Sequence, residues 1–134
     1  MDNEPIYIDT NVIMDFLLGR DESAFQLFLR VISCEFCIMI SDLVVKELHY
    51  QNLDTEMQNL FSMLKNADKL IILEILDSDH ISALELVKNC KTHYSDALHK
   101  AIARRSNVRY LVTKNIKDFA CFADISVVRP CDII

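Results

Sequence analysis

Residues Ile6 to Asp9 form a short apolar run that ends on an acid and passes through Thr10 and Asn11 straight into helical spacing, with apolar positions at Val12, Ile13, Phe16 and Leu17. The pattern returns along the chain. Phe36 to Ile40 precedes a helix that opens at Ser41 or Asp42 and runs to about Tyr50. Lys69 to Ile75 precedes one that opens at Asp77 or Ser78 and runs to Val87, and Tyr110 to Thr113 precedes a helical turn over Ile116 to Ala120. Helices over Ser23 to Ile32, from Asp54 onward and over Thr92 to Ser106 fill the intervals, and Ser126 to Val128 reads as a last strand. Strands this short and apolar on both faces belong to a parallel sheet covered on each side, because a solvent-facing sheet would alternate apolar and polar residues. The predicted class is α/β, a three-layer α/β/α sandwich with a central parallel sheet.

In open sheets of this kind, ligands sit beyond the carboxyl ends of the strands, where Asp9 and Asn11 lie. Asp9 has a second reading as an N-cap, since Asp before a helix satisfies an orphan amide. Glu47 is a further anomaly. It follows Leu43 by four residues and Val44 by three, so it shares the buried stripe of its helix and needs a partner there, either a neighbouring base or a ligand. Asp96 opens the helix after His93, where the macrodipole favours an acid whatever its use. The strand ending at Thr113 runs into Lys114, Asn115 and Asp118 and so repeats the opening pattern. His49 and His99 lie near Glu47 and Asp96, and a lone His on a helix is assigned to packing or surface. Asp15, one turn beyond Asn11, stays open between a supporting and a solvated role.

Composition removes several alternatives. At 134 residues, with no linker or repeat, the chain is expected to form one domain, 1–134. Met1 to Pro5 is acidic and polar, unlike a signal peptide, and no apolar run approaches a membrane span, so a cytoplasmic protein without membrane partners is expected. Five cysteines without paired spacing suit free thiols, with Cys34 and Cys37 as packing residues. The single glycine, Gly19, excludes phosphate loops, dinucleotide fingerprints and GxSxG nucleophile turns, which need several. Net charge is −6, yet Lys88 to Lys117 holds eight bases and one acid. That asymmetry implies an anionic partner for one face or a solvated helix surface.

Four segments, "YIDTNVIMDFL", "SDLVVKELHY", "YSDALHKAIA" and "LVTKNIKDF", resemble in order the signature segments of PIN-domain proteins, the family that includes VapC-type toxins. The resemblance implies that Asp9, Glu47 and Asp96 are the metal-binding acids of a ribonuclease site, with Asn11 and Thr113 in support. One position departs. Many nuclease members carry a fourth acid two residues after the threonine, where this chain has Asn115; some relatives share the Asn-x-x-Asp-Phe form and so keep Asp118 as the candidate fourth ligand. The resemblance further implies a homodimer and a small inhibitory antitoxin.

The chemistry agrees. Phosphodiester hydrolysis needs an activated water and positive charge on the phosphoryl oxygens, which Mg²⁺ or Mn²⁺ supplies, and hard cations take oxygen ligands. The reading is a divalent-metal-dependent endoribonuclease, the toxin of a toxin–antitoxin pair, with Lys100, Arg104, Lys114 and Lys117 guiding the RNA backbone. Its rivals are a PIN-like module without catalysis that binds RNA or protein, favoured by Asn115, and a metal-dependent DNase.

Overall fold

The computed structural model describes residues 4–33, 35–119 and 125–134, with the backbone alone at Asp118. Within them the strands β1 (Glu4–Ile8), β2 (Phe36–Ser41), β3 (Leu70–Leu73), β4 (Tyr110–Val112) and β5 (Ser126–Val128) form one sheet in the order β3-β2-β1-β4-β5. Every pairing is parallel. Helices α1 (Thr10–Leu17) and α2 (Glu22–Ile32) connect β1 to β2, and α3 (Asp42–Tyr50) and α4 (Asp54–Asn66) connect β2 to β3. Helices α5 (Asp77–Cys90) and α6 (Tyr94–Arg105) lead to β4, and α7 (Ile116–Phe119) follows it.

The expected three layers are present, and β1 generates them. Ile6 and Ile8 face one layer, where Ile38 and Ile40 meet the inner stripes of α2, α3 and α4. Tyr7, between them, faces the other layer with Met39, Leu111 and the small and apolar residues of α5 and α6. All three β1 residues are fully buried, each apolar side chain of this size contributing about 1.5–3 kcal/mol.

After β3 the chain crosses back over the sheet to lay β4 on the other side of β1. Such a reversal leaves a crevice at the carboxyl ends of the strands on either side of it. Ile8 and Val112 are the last paired residues of β1 and β4, so Asp9 and Thr113 stand side by side immediately beyond them. The Asp9 N–H donates to the Val112 carbonyl at 3.1 Å, which holds that placement.

Element boundaries agree with the sequence reading to within a few residues. The strand expected over Lys69 to Ile75 is limited to Leu70–Leu73, because its neighbour β2 ends at Ser41 and leaves nothing further to pair with. Helix α5 runs on to Cys90 and stops at Lys91 in the left-handed region, φ 53°. Free thiols are found at Cys37 and Cys131, but Cys90 is disulfide-bonded, which corrects the expectation for that cysteine. Cys34, read as a packing residue, also lies outside them. No described helix is long and apolar enough to cross a membrane.

Two buried acids brace the frame. Gly19, at φ 64°, closes α1 with a left-handed turn in which the Arg20 N–H reaches the Asp15 carbonyl at 2.9 Å and the Gly19 N–H the Phe16 carbonyl at 3.2 Å. That turn aims the Arg20 guanidinium at the buried Asp15 carboxylate, 2.9 Å away, which Lys114 meets at 2.8 Å from the other side. Asp15 is therefore a buried ion-pair hub. Asp79, also buried, accepts from Arg105 at 2.8 and 3.0 Å and from the Leu76 N–H at 2.8 Å, tying α5 to α6.

Removing Arg105 would leave the Asp79 charge without its cation. Arg105→Ala is expected to lower stability by about 2–4 kcal/mol, below the cost of opening a fully enclosed pair because the arginine is partly exposed. Urea unfolding should show this as a lower midpoint at unchanged slope. A midpoint equal to wild type would show that the pair contributes no net stability.

Candidate active site

Asp9 does two things at once. Its backbone is extended, as an N-cap requires, and its Oδ1 accepts the Val12 N–H at 3.2 Å. Oδ2 accepts the Thr113 hydroxyl at 2.6 Å, a contact between residues 104 positions apart. The cap and site readings are thus compatible. Burial pushes the Asp9 carboxyl above its usual range, more than Thr113, His99 and Val12 draw it down, and the Glu47 charge adds to the rise.

Glu47 leaves α3 at the edge between the two helical layers. Thr10 of α1 donates to its Oε1, Ser95 of α6 donates to Oε2 at 2.7 Å, and His99 Nε2 lies 2.9 Å from Oε1. Behind the imidazole, Nδ1 lies 2.8 Å from the Tyr7 hydroxyl, which lies 2.8 Å from Ser41 Oγ. With a neutral ring the donors and acceptors order in one direction, Ser41 to Tyr7 to Nδ1 and then Nε2–H to Glu47. Burial alone would raise the Glu47 carboxyl, but the His99 contact, followed by the Thr10 and Ser95 hydroxyls, outweighs it and holds the group down to about 2. Glu47 is a carboxylate at any ordinary pH.

Asp9, Glu47 and Asp96 line one pocket of about 310 Å³, with Asn11, Ser95 and His99. The three acids come from the ends of β1, α3 and α6. Their oxygens are the donor type that Mg²⁺ or Mn²⁺ takes, and a cation beside Asp9 would relieve the burial that raises its carboxyl. Among the described residues no three acid, histidine or cysteine side chains close into a ready ligand cluster.

Other expected residues distribute differently. Thr113 is fully buried against Asp9. Asn11 borders both this pocket and an adjoining cavity lined by Asp15, Arg20, Lys114 and Asn115. Asn115 is thus beside the acidic pocket rather than in it, its N–H donating to Thr113 Oγ1 at 3.2 Å. The Asp118 side chain lies outside the described residues. Lys100 must be withdrawn as an RNA contact: it is 3% exposed and donates to the Phe119 carbonyl, because position 100 faces the apolar side of α6. Arg104 is exposed beside Asp79 and Arg105, in a cavity that shares no residue with the acidic one. Lys114 pairs with Asp15, and Lys117 is exposed on α7.

Sequence alone assigns His99 to packing or surface, whereas the structure places it in the pocket lining, 2.9 Å from Glu47 Oε1. No local signal marks it, since Lys100, Ala101, Ile102 and Ala103 after it are buried as well. His49 is a surface residue, as expected, bound to Asp54 at 2.8 Å.

A family model described as PIN domain matches residues 5–117. No curated protein matches the chain. Among solved structures, a toxin–antitoxin complex from Klebsiella pneumoniae aligns at TM-score 0.70 and 23% identity, covering 93% of this chain and 97% of that one. VapBC2 from Rickettsia felis, bound to a promoter DNA fragment, aligns at 0.67 and 21%, covering 92% and 96%. Mycobacterium tuberculosis VapC20, described as a sarcin-ricin loop cleaving toxin, aligns at 0.62 and 16%, covering 90% and 98%.

Asp9 and Glu47 should pull the stability of the metal-free protein in opposite directions. Folding raises the Asp9 carboxyl, so its stabilising contribution is complete below the unfolded pKa and is lost as pH rises through the folded one. Folding depresses Glu47, so its contribution is present above the ordinary Glu value and disappears as pH falls toward about 2. In EDTA near neutral pH, Asp9→Asn is expected to melt above wild type and Glu47→Gln below it. Both gaps should narrow on acidification. Thermal melts in which the two variants shift the same way at neutral pH would contradict the opposed environments.

Proposed function

We infer from membership of the PIN-domain family, to which this chain belongs, that the acidic pocket hydrolyses RNA phosphodiester bonds with a divalent metal ion. The observation that carries the reading is the convergence of three acids from three elements on one pocket, with Asp9 buried and raised by that burial. Asp9, Glu47 and Asp96 would hold the ion. When bound, Mg²⁺ or Mn²⁺ supplies positive charge to the phosphoryl oxygens and acidifies a water molecule. Thr113 sets the plane of the Asp9 carboxylate through its hydroxyl. Ser95 and His99 orient Glu47 through its two oxygens, and the Ser95 hydroxyl does so without cancelling its negative charge.

Substrate guidance falls to the bases that border the acidic pocket. Lys114 and Arg20 share the adjoining cavity and together carry one positive charge beyond what Asp15 neutralises. The family match and the two cores on one sheet support a single PIN-like domain over 1–134. Relatives whose structures are toxin–antitoxin complexes support an inhibitory protein partner and, with it, a toxin role. The second reading is a binding module without catalysis, favoured by the engagement of both Glu47 oxygens in hydrogen bonds.

Purified protein is expected to cut single-stranded RNA with Mg²⁺ or Mn²⁺ and to stop on EDTA. Asp96→Asn should lose at least about a hundredfold in rate while remaining folded, because it removes charge with little change in volume. Cleavage that persists in EDTA, or an Asp96→Asn variant as fast as wild type, would overturn the assignment.

The fourth ligand position is decided by binding. Calorimetric Mn²⁺ titration should show Asn115→Asp binding more tightly than wild type, since a carboxylate there adds charge beside the pocket. If Asp118 reaches the ion, Asp118→Asn should weaken the same titration. Unchanged affinity and stoichiometry in both variants would leave a three-acid site.

A further inference from the structure

Tyr50, in the last turn of α3, is 80% exposed. It stands three residues after Glu47, and side chains at that spacing emerge as neighbours about 5–6 Å apart at Cβ. It lines the acidic pocket and also borders a second cavity of about 410 Å³, whose other walls are Val45, Lys46, His49 and Asp54. Tyr50 is the wall common to both. The His49 ring is held by Asp54 at 2.8 and 3.0 Å, and its centroid lies 6.2 Å from that of Tyr50 with the planes at 52°. Two rings therefore form an open corner, one of them fixed, beside the pocket that carries the acids.

We propose that Tyr50 is a stacking shelf for one base of a single-stranded RNA whose neighbouring phosphate lies at the acidic pocket. The inference rests on the ribonuclease reading of that pocket and adds to it the residue that receives a base beside it. A phenol ring left in water is a platform that any base can cover, and stacking of this kind tolerates sequence. Lys46 and Asp54 offer a donor and an acceptor to the edge of a base lying on the ring. The bases of a duplex are already stacked and paired, so only an unpaired one can turn out onto the shelf.

The chain contains no tryptophan, so Tyr50→Trp places a single indole reporter on the shelf. Binding is read with Ca²⁺ in place of Mg²⁺, using a short labelled single-stranded RNA and following anisotropy and indole emission together. Indole emission should be quenched by single-stranded RNA, and left unchanged by an abasic ribose-phosphate oligomer of equal length and by duplex RNA. Tyr50→Ala should weaken RNA binding on the order of tenfold while Tyr50→Phe keeps it. RNA that binds wild type and Tyr50→Ala equally, with no quenching, would overturn the shelf and leave the ribonuclease reading standing. Equal quenching by the abasic oligomer would overturn it too, assigning the signal to the backbone. If Tyr50→Ala leaves RNA binding unchanged and abolishes self-association in sedimentation, the shelf is instead a contact with a second copy of the chain. Absence of RNA binding in every variant, together with absence of Mn²⁺ binding, would remove both readings.

Discussion

Glu47 is a charged group at the seam of two helical layers, and the arrangement of the site follows from the need to satisfy it. Its partners are two hydroxyls and an imidazole rather than lysine or arginine. Those donors fix the orientation of the carboxylate, and the hydroxyls do so without cancelling its charge. The requirement then propagates inward. His99, almost wholly buried, needs a second partner and finds Tyr7 on the central strand, whose hydroxyl is shared with Ser41 at the end of β2. A polar chain is thus threaded through an apolar layer with each link occupied, the condition under which a buried network adds rigidity. The first turns of α1 and α6 are positioned by the same acid that faces the pocket.

Three of the bases that read as a surface strip are engaged with the protein itself. Lys100 is turned into the core, Arg105 holds Asp79, and Lys114 holds Asp15. Charge counted along the sequence therefore overstates the charge offered to a ligand. Beside the acidic pocket, Lys114 and Arg20 are tethered to Asp15 in the adjoining cavity.

The legible and illegible parts of the molecule divide along a physical line. Strand exits, helix periods and the acids at Asp9, Glu47 and Asp96 are properties of short windows, and each lies where its window implies. His99, Tyr7 and Lys100 take their roles from contacts across the sheet or between helices, and nothing local distinguishes them from packing or surface residues. Helix ends show the same limit. With one glycine available, α3, α4, α5 and α6 are each followed by a left-handed residue at Asn52, Asp68, Lys91 or Asn107. Asn and Asp are the side chains that tolerate this conformation, whereas Lys91 does so against its preference and gives no signal of it in sequence.

The bond between Asp9 and Thr113 has a consequence in time. The two residues are separated by 104 positions, although their strands lie side by side at the centre of the sheet. At ribosomal rates of roughly 5–20 residues per second, Asp9 is made about 5–20 s before the threonine that orients it. The strand between β2 and β4 waits through that interval with one edge open, and Asp96 arrives only shortly before β4. A nascent chain therefore carries Asp9 first, Glu47 next and Asp96 later, and the pocket is complete only once Thr113 has been made.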